Sequence, residues 1–209
     1  MSLDLIGVTV GPKGRAPLFP PLSLSVAPGE VATVMGPSGV GKSTLLDGIG
    51  GHLVLGFELA GEVRLNGRDV LALPAEARRI GALFQDAMLF PHLSVGQNLA
   101  FGLAAEVRGA ARTTAVAEAL ATAGLEGFAD RDPATLSGGQ RARAALMRAI
   151  LARPEALLLD EPFSRLDAGL RAGIRAFVFD HLRAKGIPAL LVTHDESDAE
   201  AAGGQVFRL

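Results

Sequence analysis

The sequence predicts an α/β protein whose mostly parallel sheet is covered by helices. Apolar runs typical of buried strands, VATVM at 31–35, ALLL at 156–159 and ALLVT at 189–193, alternate with helix-forming segments. This alternation is typical of parallel strands joined by helices. The chain has 209 residues, 49% of them hydrophobic, which is enough to bury the core of one large domain.

The first part of the chain has the pattern of short strands. We predict strands at Leu3–Val10, Leu22–Val26, Val31–Met35 and Glu62–Leu65. Turns rich in proline and glycine, such as GPKGRAP and APGE, separate them.

Beyond residue 86 the sequence becomes rich in alanine and other helix formers. Residues 94–128, interrupted at Gly109 and Gly124, predict a helical lobe. Ser137 is a suitable N-cap for the following helix, which Pro154 ends. Another helix is predicted over 168–185.

Composition excludes several classes of protein. The net charge of −2 gives no argument for binding nucleic acid, and the absence of cysteine excludes disulfides and cysteine-based catalysis. The N-terminal residues do not resemble a secretion signal, and no apolar stretch is long enough to span a bilayer. We therefore expect a soluble, cytoplasmic protein that reaches a membrane only through another chain.

The segment GPSGVGKST has the composition of a phosphate-binding loop between a strand and a helix. Its glycines let backbone N–H groups approach an anion, and a helix that starts there adds its dipole. Lys42 supplies a positive charge for the terminal phosphates, and the Ser43 hydroxyl suits Mg²⁺. The nucleotide-binding residues predicted here are Gly36, Pro37, Ser38, Gly39, Val40, Gly41, Lys42, Ser43 and Thr44.

Polar residues follow three of the predicted strands. Ligands bind at the carboxyl ends of parallel strands, so Asp160 is predicted to hold Mg²⁺ and Glu161 to deprotonate the attacking water. His194 ends the strand 189–193 and is predicted to contact the γ-phosphate or that water. Gln85 follows the run 82–84 and is a further candidate catalytic residue, which is predicted to bind Mg²⁺ and contact the water.

Taken together, these motifs and LSGGQ at 136–140 resemble the ATP-binding subunits of ABC transporters over essentially the whole chain. The resemblance implies a P-loop NTPase (RecA-like) fold with an N-terminal antiparallel β subdomain and an inserted α-helical subdomain. Residues 1–209 then form a single ATPase domain. Its core with the β subdomain spans 1–85 and 151–209, and its helical subdomain, which carries LSGGQ, spans 86–150.

The resemblance also implies ATP and Mg²⁺ as ligands and a head-to-tail dimer of two copies. In that dimer each ATP lies between one phosphate loop and the LSGGQ segment of the partner. The amides of this segment lie at a predicted helix start, where they can bind the γ-phosphate. The residues predicted to contact nucleotide in this way are Ser137, Gly138, Gly139 and Gln140.

Residues 83–103 look like the subunits of bacterial importers that use a periplasmic solute-binding protein. In those systems this region forms a groove for a short helix of the membrane permease. The chain as a whole looks most like the minimal ATPase subunits of thiamine-type and similar small-solute importers. The expected location is therefore the inner face of the cell membrane. Apolar residues that either line such a groove or belong to the core of the lobe are Phe84, Met88, Leu89, Phe90 and Leu93.

One departure from the family concerns adenine. The family places an aromatic ring upstream of the phosphate loop, whereas this chain has no Tyr or Trp and only Phe19 there. Lys13 or Arg15 is an alternative cover for the base. Because stacking contributes about 1–3 kcal/mol per base, we predict weak affinity and weak preference for adenine.

Two other functions remain open at this point. An export or lipid-transport ATPase has the same site with a different membrane partner. A soluble ABC ATPase acting on DNA or ribosomes usually has a long insertion or tandem domains, and this sequence has neither. The arginines near LSGGQ are scattered rather than clustered, which also argues against nucleic acid.

Overall fold

The computed structural model describes residues 1–84, 88–164, 166 and 168–209. They form two compact units. The first comprises 1–82, 155–161 and 179–209, and the second comprises 83–154 and 162–178. The second unit thus includes a segment after residue 161 besides the helical lobe.

An antiparallel sheet opens the first unit. It contains β1 (Leu3–Pro12), β2 (Leu22–Val26), β4 (Phe57–Leu65) and β5 (Arg68–Asp69), in the order β2-β1-β4-β5. Alternate residues of β1 and β2 are buried, as expected for a sheet with one face on the core. Strand β4 begins at Phe57, five residues before the predicted start at Glu62.

A five-stranded sheet carries the predicted parallel strands. Its members are β3 (Val31–Met35), β6 (Ile80–Leu83), β7 (Ala156–Asp160), β8 (Ala189–Thr193) and β9 (Val206–Arg208), in the order β6-β7-β8-β3-β9. Strand β3 pairs in parallel with both β8 and β9, and β7 pairs in parallel with β8. All five residues of β3 and of β8 are buried, which explains their continuous apolar sequence.

Helices complete the first unit. Helix α1 (Lys42–Gly50) follows β3, and helix α6 (Glu196–Ala202) follows β8. Leu45 and Ile49 of α1 are fully buried in one hydrophobic core with residues of both sheets. The phosphate loop between β3 and α1 is therefore fixed on both sides by buried structure.

Three helices dominate the second unit: α2 (Val95–Phe101), α3 (Gly109–Thr122) and α4 (Gly138–Leu151). The predicted helical lobe over 94–128 is thus two helices, separated by a turn that ends at Arg108. Helix α5 (Ala168–Lys185) begins in this unit and matches the predicted bounds. The α/β fold class, with a parallel sheet, an antiparallel sheet and helices, is confirmed.

Candidate active site

The phosphate loop has the conformation that its glycines predict. Gly39 and Gly41 have φ angles of 84° and 106°, in the left-handed region. The ammonium of Lys42 is buried and donates to the carbonyl oxygens of Gly36 and Pro37 at 2.8 and 3.1 Å. The loop therefore curls around the lysine, as expected for a cradle that receives phosphate oxygens.

Helix α1 begins without a capping side chain. Gly41 is its N-cap, and among the described residues no side chain accepts a hydrogen bond there. The first helical hydrogen bond runs from Leu45 N–H to Gly41 O. The N–H groups of Lys42, Ser43 and Thr44 precede it and are the donors that a helix start offers to an anion.

Asp160 contacts the start of α1 from the end of β7. The Ser43 hydroxyl donates to Asp160 Oδ1 at 3.0 Å. Burial raises the pKa of the Asp160 carboxyl, and the bond from Ser43 opposes this rise. Hydroxyl and carboxylate oxygens are the ligands that Mg²⁺ prefers, so this pair fits the predicted metal site.

Glu161 and His194 form a second polar pair at the same edge of the sheet. His194 Nδ1 lies 3.0 Å from Glu161 Oε1, and the Glu161 side chain is 20% exposed. The backbone of Glu161 has a φ of 43° and donates to Val192 O on β8. An ionised carboxylate only accepts, so His194 carries its proton on Nδ1 when it faces the ionised Glu161.

The turn that carries His194 is held by hydrogen bonds of Thr193 and Asp195. Thr193 Oγ1 donates to the carboxylate of Asp198, which is 2% exposed, and accepts from the N–H of Asp195. Asp195 also caps α6 through the N–H of Ser197. The imidazole therefore extends from a turn with defined geometry, and its ring remains about half exposed.

The LSGGQ segment forms the start of α4 in the second unit. Ser137 is the N-cap, and its hydroxyl accepts from Gln140 N–H while its own N–H donates to Gln140 Oε1. Gly139 is buried, and a Cβ there would lie 3.5 Å from Leu170 and Ile174. The Gln140 side chain thus caps its own helix, and the N–H groups of Gly138 and Gly139 lie in the first turn, where N–H groups have no intrahelical acceptor.

Among the other predicted site residues, Gln85 lies outside the described residues. Met88 and Phe84 of the predicted permease groove are 61% and 39% exposed, whereas Leu89, Phe90 and Leu93 are half-buried.

Around the predicted adenine region, Phe19 belongs to the hydrophobic core at 5% exposure, so its ring is not available for stacking. Lys13 and Arg15 are exposed.

Arg78 is a buried residue that the sequence analysis did not identify. Its guanidinium donates to the carbonyls of Gly48 and Ile49 at the end of α1, and to those of Leu71 and Leu73. It therefore neutralises the negative end of the helix whose positive end is predicted to bind phosphate. No motif signals this role, because its partners are backbone atoms.

Comparisons with known proteins all identify the same family. Residues 19–164 match the family described as ABC transporter. The chain is 54% identical to an uncharacterized ABC transporter ATP-binding protein, YnjD, of Escherichia coli (strain K12), over 86% of this chain and 83% of that protein.

Two further relatives are named as import proteins. An Fe(3+) ions import ATP-binding protein (FbpC 3) of Rhodococcus jostii is 45% identical over 92% of this chain and 55% of its own length. A spermidine/putrescine import ATP-binding protein (PotA) of Pseudomonas fluorescens is 45% identical over 89% of this chain and 51% of its own length. The chain thus spans about half the length of these two relatives.

The family identified from the motifs is confirmed by these matches, and the import relatives agree with the predicted importer class. In the part of the chain that the structure describes, no helix has the length and apolar character needed to cross a membrane. The chain belongs to the ABC transporter family, as one of its ATP-binding, ATP-hydrolysing proteins.

Proposed function

We propose that this chain is the ATP-hydrolysing subunit of an import system and couples hydrolysis to solute transport by a separate membrane permease. The observation that supports this most strongly is the cluster at one edge of the parallel sheet. There the phosphate loop, the Ser43–Asp160 contact and the Glu161–His194 pair follow β3, β7 and β8.

Binding begins at the phosphate loop. The Lys42 ammonium exchanges its two carbonyl contacts for oxygens of the terminal phosphates, and the first N–H groups of α1 bind the same anion. Ser43 and Asp160 are the residues that would hold Mg²⁺, with Gln85 as a further ligand predicted from sequence. An ion held there would supply positive charge to neutralise the phosphate oxygens.

Hydrolysis uses the second polar pair. Glu161 is the general base that accepts a proton from the attacking water. His194 donates from Nδ1 to Glu161 and so orients this carboxylate. Its other ring nitrogen, Nε2, is then an acceptor for an O–H group of the water or of the protonated phosphate product.

A head-to-tail dimer completes the proposed site. The Gly138 and Gly139 amides at the start of α4 are donors suited to the γ-phosphate of a nucleotide held by a second copy. ATP then closes the dimer and hydrolysis reopens it, because only the triphosphate contacts both copies.

The proposed partners are an integral-membrane permease and, through it, a periplasmic solute-binding protein. The names of the iron and polyamine import relatives support this assignment, and so does the exposed apolar residue Met88. The chain then works as a peripheral protein on the inner face of the cell membrane. The transported solute is selected by the other subunits, since nothing in an ATPase subunit contacts it.

The test is to isolate the tagged chain from its native membranes in a gentle detergent and to identify the proteins that copurify. A multi-span permease with ATP hydrolysis in the same fraction supports the proposal. Recovery with nucleic acid, or with an export complex, would leave the ATPase in place and contradict the import role.

A further inference from the structure

The phosphate loop leaves the sheet between two other strand ends. Met35, the last residue of β3, pairs with Thr193 of β8 on one side and with Arg208 of β9 on the other. Both pairings are parallel, so the three strands end at the same edge of the sheet. The start of the phosphate loop is therefore flanked by the His194 turn and by the end of β9.

An ion pair joins these two flanks past the end of β3. Arg208 Nη1 and Nη2 donate to Glu196 Oε1 and Oε2 at 2.8 and 3.2 Å, a two-bond geometry that orients both groups. Glu196 is the first residue of α6 and follows His194 by two positions. Because neighbouring strands are about 4.8 Å apart, the pair spans about two strand spacings. It thus connects the turn that carries His194 to the far side of the phosphate loop.

Residues 208 and 209 also contact the start of the phosphate loop directly. Arg208 Nη1 lies 3.6 Å from Met35 Sδ, and Leu209 N–H donates to Met35 O at 2.8 Å. A Cβ placed on Gly36 would lie 3.3 Å from Leu209 O. A displacement of β9 would therefore be felt at Met35 and Gly36.

The exposure of the pair indicates that it contributes orientation more than stability. The side chains of Arg208 and Glu196 are 64% and 62% exposed, and exposed ion pairs contribute little to the stability of a fold. The hydrogen bonds from Arg208 lower the pKa of the Glu196 carboxyl, so the pair is ionised at neutral pH. Two parallel bonds between planar groups fix a direction, which is what a positioning contact requires.

We propose that Arg208 is a positioning residue for ATP hydrolysis, which through Glu196 holds the His194 turn in place relative to the phosphate loop. This inference rests on the proposed function, in which His194 acts with Glu161 on the attacking water. Arg208 acts through Met35 and Glu196 rather than on the nucleotide. Its loss should therefore lower kcat and leave the affinity for ATP nearly unchanged.

The first experiment compares Arg208→Met with Arg183→Met. The control removes another exposed ion pair, Arg183–Asp180 in α5, whose side chains are 53% and 70% exposed. We expect Arg208→Met to lower kcat by about fivefold and to keep the Kd for ATP within about twofold. Arg208→Lys, which lacks the planar fork, should recover only part of kcat. Arg183→Met should leave both quantities unchanged.

Three results of this experiment would overturn the inference. The first is an unchanged kcat in Arg208→Met, and the second is an equal loss of kcat in Arg183→Met. The third is a weaker affinity for ATP at unchanged kcat, which would mean that β9 only shapes the phosphate loop.

The second experiment asks whether Arg208 acts through His194. Single-turnover hydrolysis of radiolabelled ATP, which resolves slow rates, is measured for His194→Ala with and without Arg208→Met. In the His194→Ala background, Arg208→Met should lower the rate by less than about twofold, against about fivefold in the wild type.

An equal loss in the two backgrounds would overturn the inference, because the positioning role requires the imidazole. If His194→Ala alone hydrolysed ATP at the normal rate, the role of His194 in the proposed function would be contradicted instead, whatever the result at Arg208. The His194→Ala rate therefore separates the two failures.

Discussion

Helices α1 and α4 are both predicted to bind the γ-phosphate of ATP, yet they begin in opposite ways. Helix α1 starts at a left-handed glycine with no capping side chain among the described residues. Helix α4 starts at Ser137 with a complete capping box. Helix α1 leaves its first N–H groups to a ligand. At the start of α4, side chains of the capping box already bond the N–H groups of Ser137 and Gln140.

This difference indicates that the two helix starts have different roles in binding ATP. A glycine N-cap costs only about a few tenths of a kcal/mol relative to serine or aspartate, so the phosphate loop leaves its N–H groups to a ligand with little loss of local stability. Lys42 also stabilises the loop by donating to its carbonyl oxygens. The capped start of α4 is stable by itself and offers only the amides of Gly138 and Gly139. We infer that α1 supplies most of the affinity and that α4 senses the third phosphate.

The largest effect should come from Glu161→Gln, which keeps both helix starts and removes the base. Hydrolysis should fall by about 10²–10⁴-fold while ATP binding is retained. The two starts then remain engaged on one ATP, so a dimer should accumulate in size-exclusion chromatography with ATP. A variant that still hydrolyses ATP at the normal rate would remove Glu161 from this role.

Lys42→Met tests whether α1 supplies the affinity. Losing charge-assisted contacts to two phosphates should weaken ATP binding by about 100-fold in a calorimetric titration. Lys185→Met, which removes an exposed lysine at the end of α5, is the matched control and should bind normally. If Lys42→Met bound ATP with an affinity within about threefold of the wild type, this would contradict the proposal that α1 supplies most of the affinity.

Gln140→Ala and Gln140→Glu test the capped start of α4. Glutamate also completes a capping box, so it should preserve ATP hydrolysis, whereas alanine should lower both stability and, by about 5- to 10-fold, the rate. If the Gln140 side chain instead contacts phosphate, as the sequence predicted, glutamate should be worse than alanine.

The capping box at Ser94–Gln97 supplies the matched control. Gln97→Ala should lower the free energy of unfolding by about 0.5–1 kcal/mol, as Gln140→Ala does, without changing ATP hydrolysis by the isolated chain. Equal losses of activity in the two alanine variants would indicate a general effect of stability.

The smallest effect concerns the carboxylate beside the start of α1. Burial raises the pKa of Asp160 above 3.8, so the folded state binds this proton more tightly than the unfolded chain. Ionisation therefore destabilises the nucleotide-free protein as pH rises through the raised pKa. Asp160→Asn should gain stability relative to wild type at neutral pH, and this gain should vanish at strongly acidic pH in urea titrations. Glu118→Gln, at an exposed position of α3, is the matched control.

Much of the fold could be predicted because local patterns were unambiguous. Strands β2, β3 and β8 have the predicted bounds because each is a continuous or alternating apolar run. Helix α5 also has the predicted bounds, and Gly186 follows its last residue. The early part of β4 was missed. There Gly61, with a φ of 98°, packs against Gly7 where β1 and β4 shift register, and this irregularity hides the alternation.

The sequence predicted individual residues of the site but not the contacts between them. Sequence motifs located Asp160, Glu161 and His194, but the Glu161–His194 bond depends on the register of β7 against β8, where Asp160 lies opposite Val192. Arg78 was missed because its partners are backbone atoms, which leave no side-chain pattern.

The position of β3 in the sheet has a consequence for synthesis on the ribosome. Its neighbours are β8 and β9, so Val31 lies opposite Ala189 and Thr33 lies opposite Val206. The nascent chain must therefore carry the apolar segment 31–35 without its sheet partners until the residues after 188 emerge. Pairings this distant in sequence are slow to form, and unpaired apolar strands are prone to aggregate. The nucleotide site is thus among the last parts of the protein to assemble, although its loop is among the first to be made.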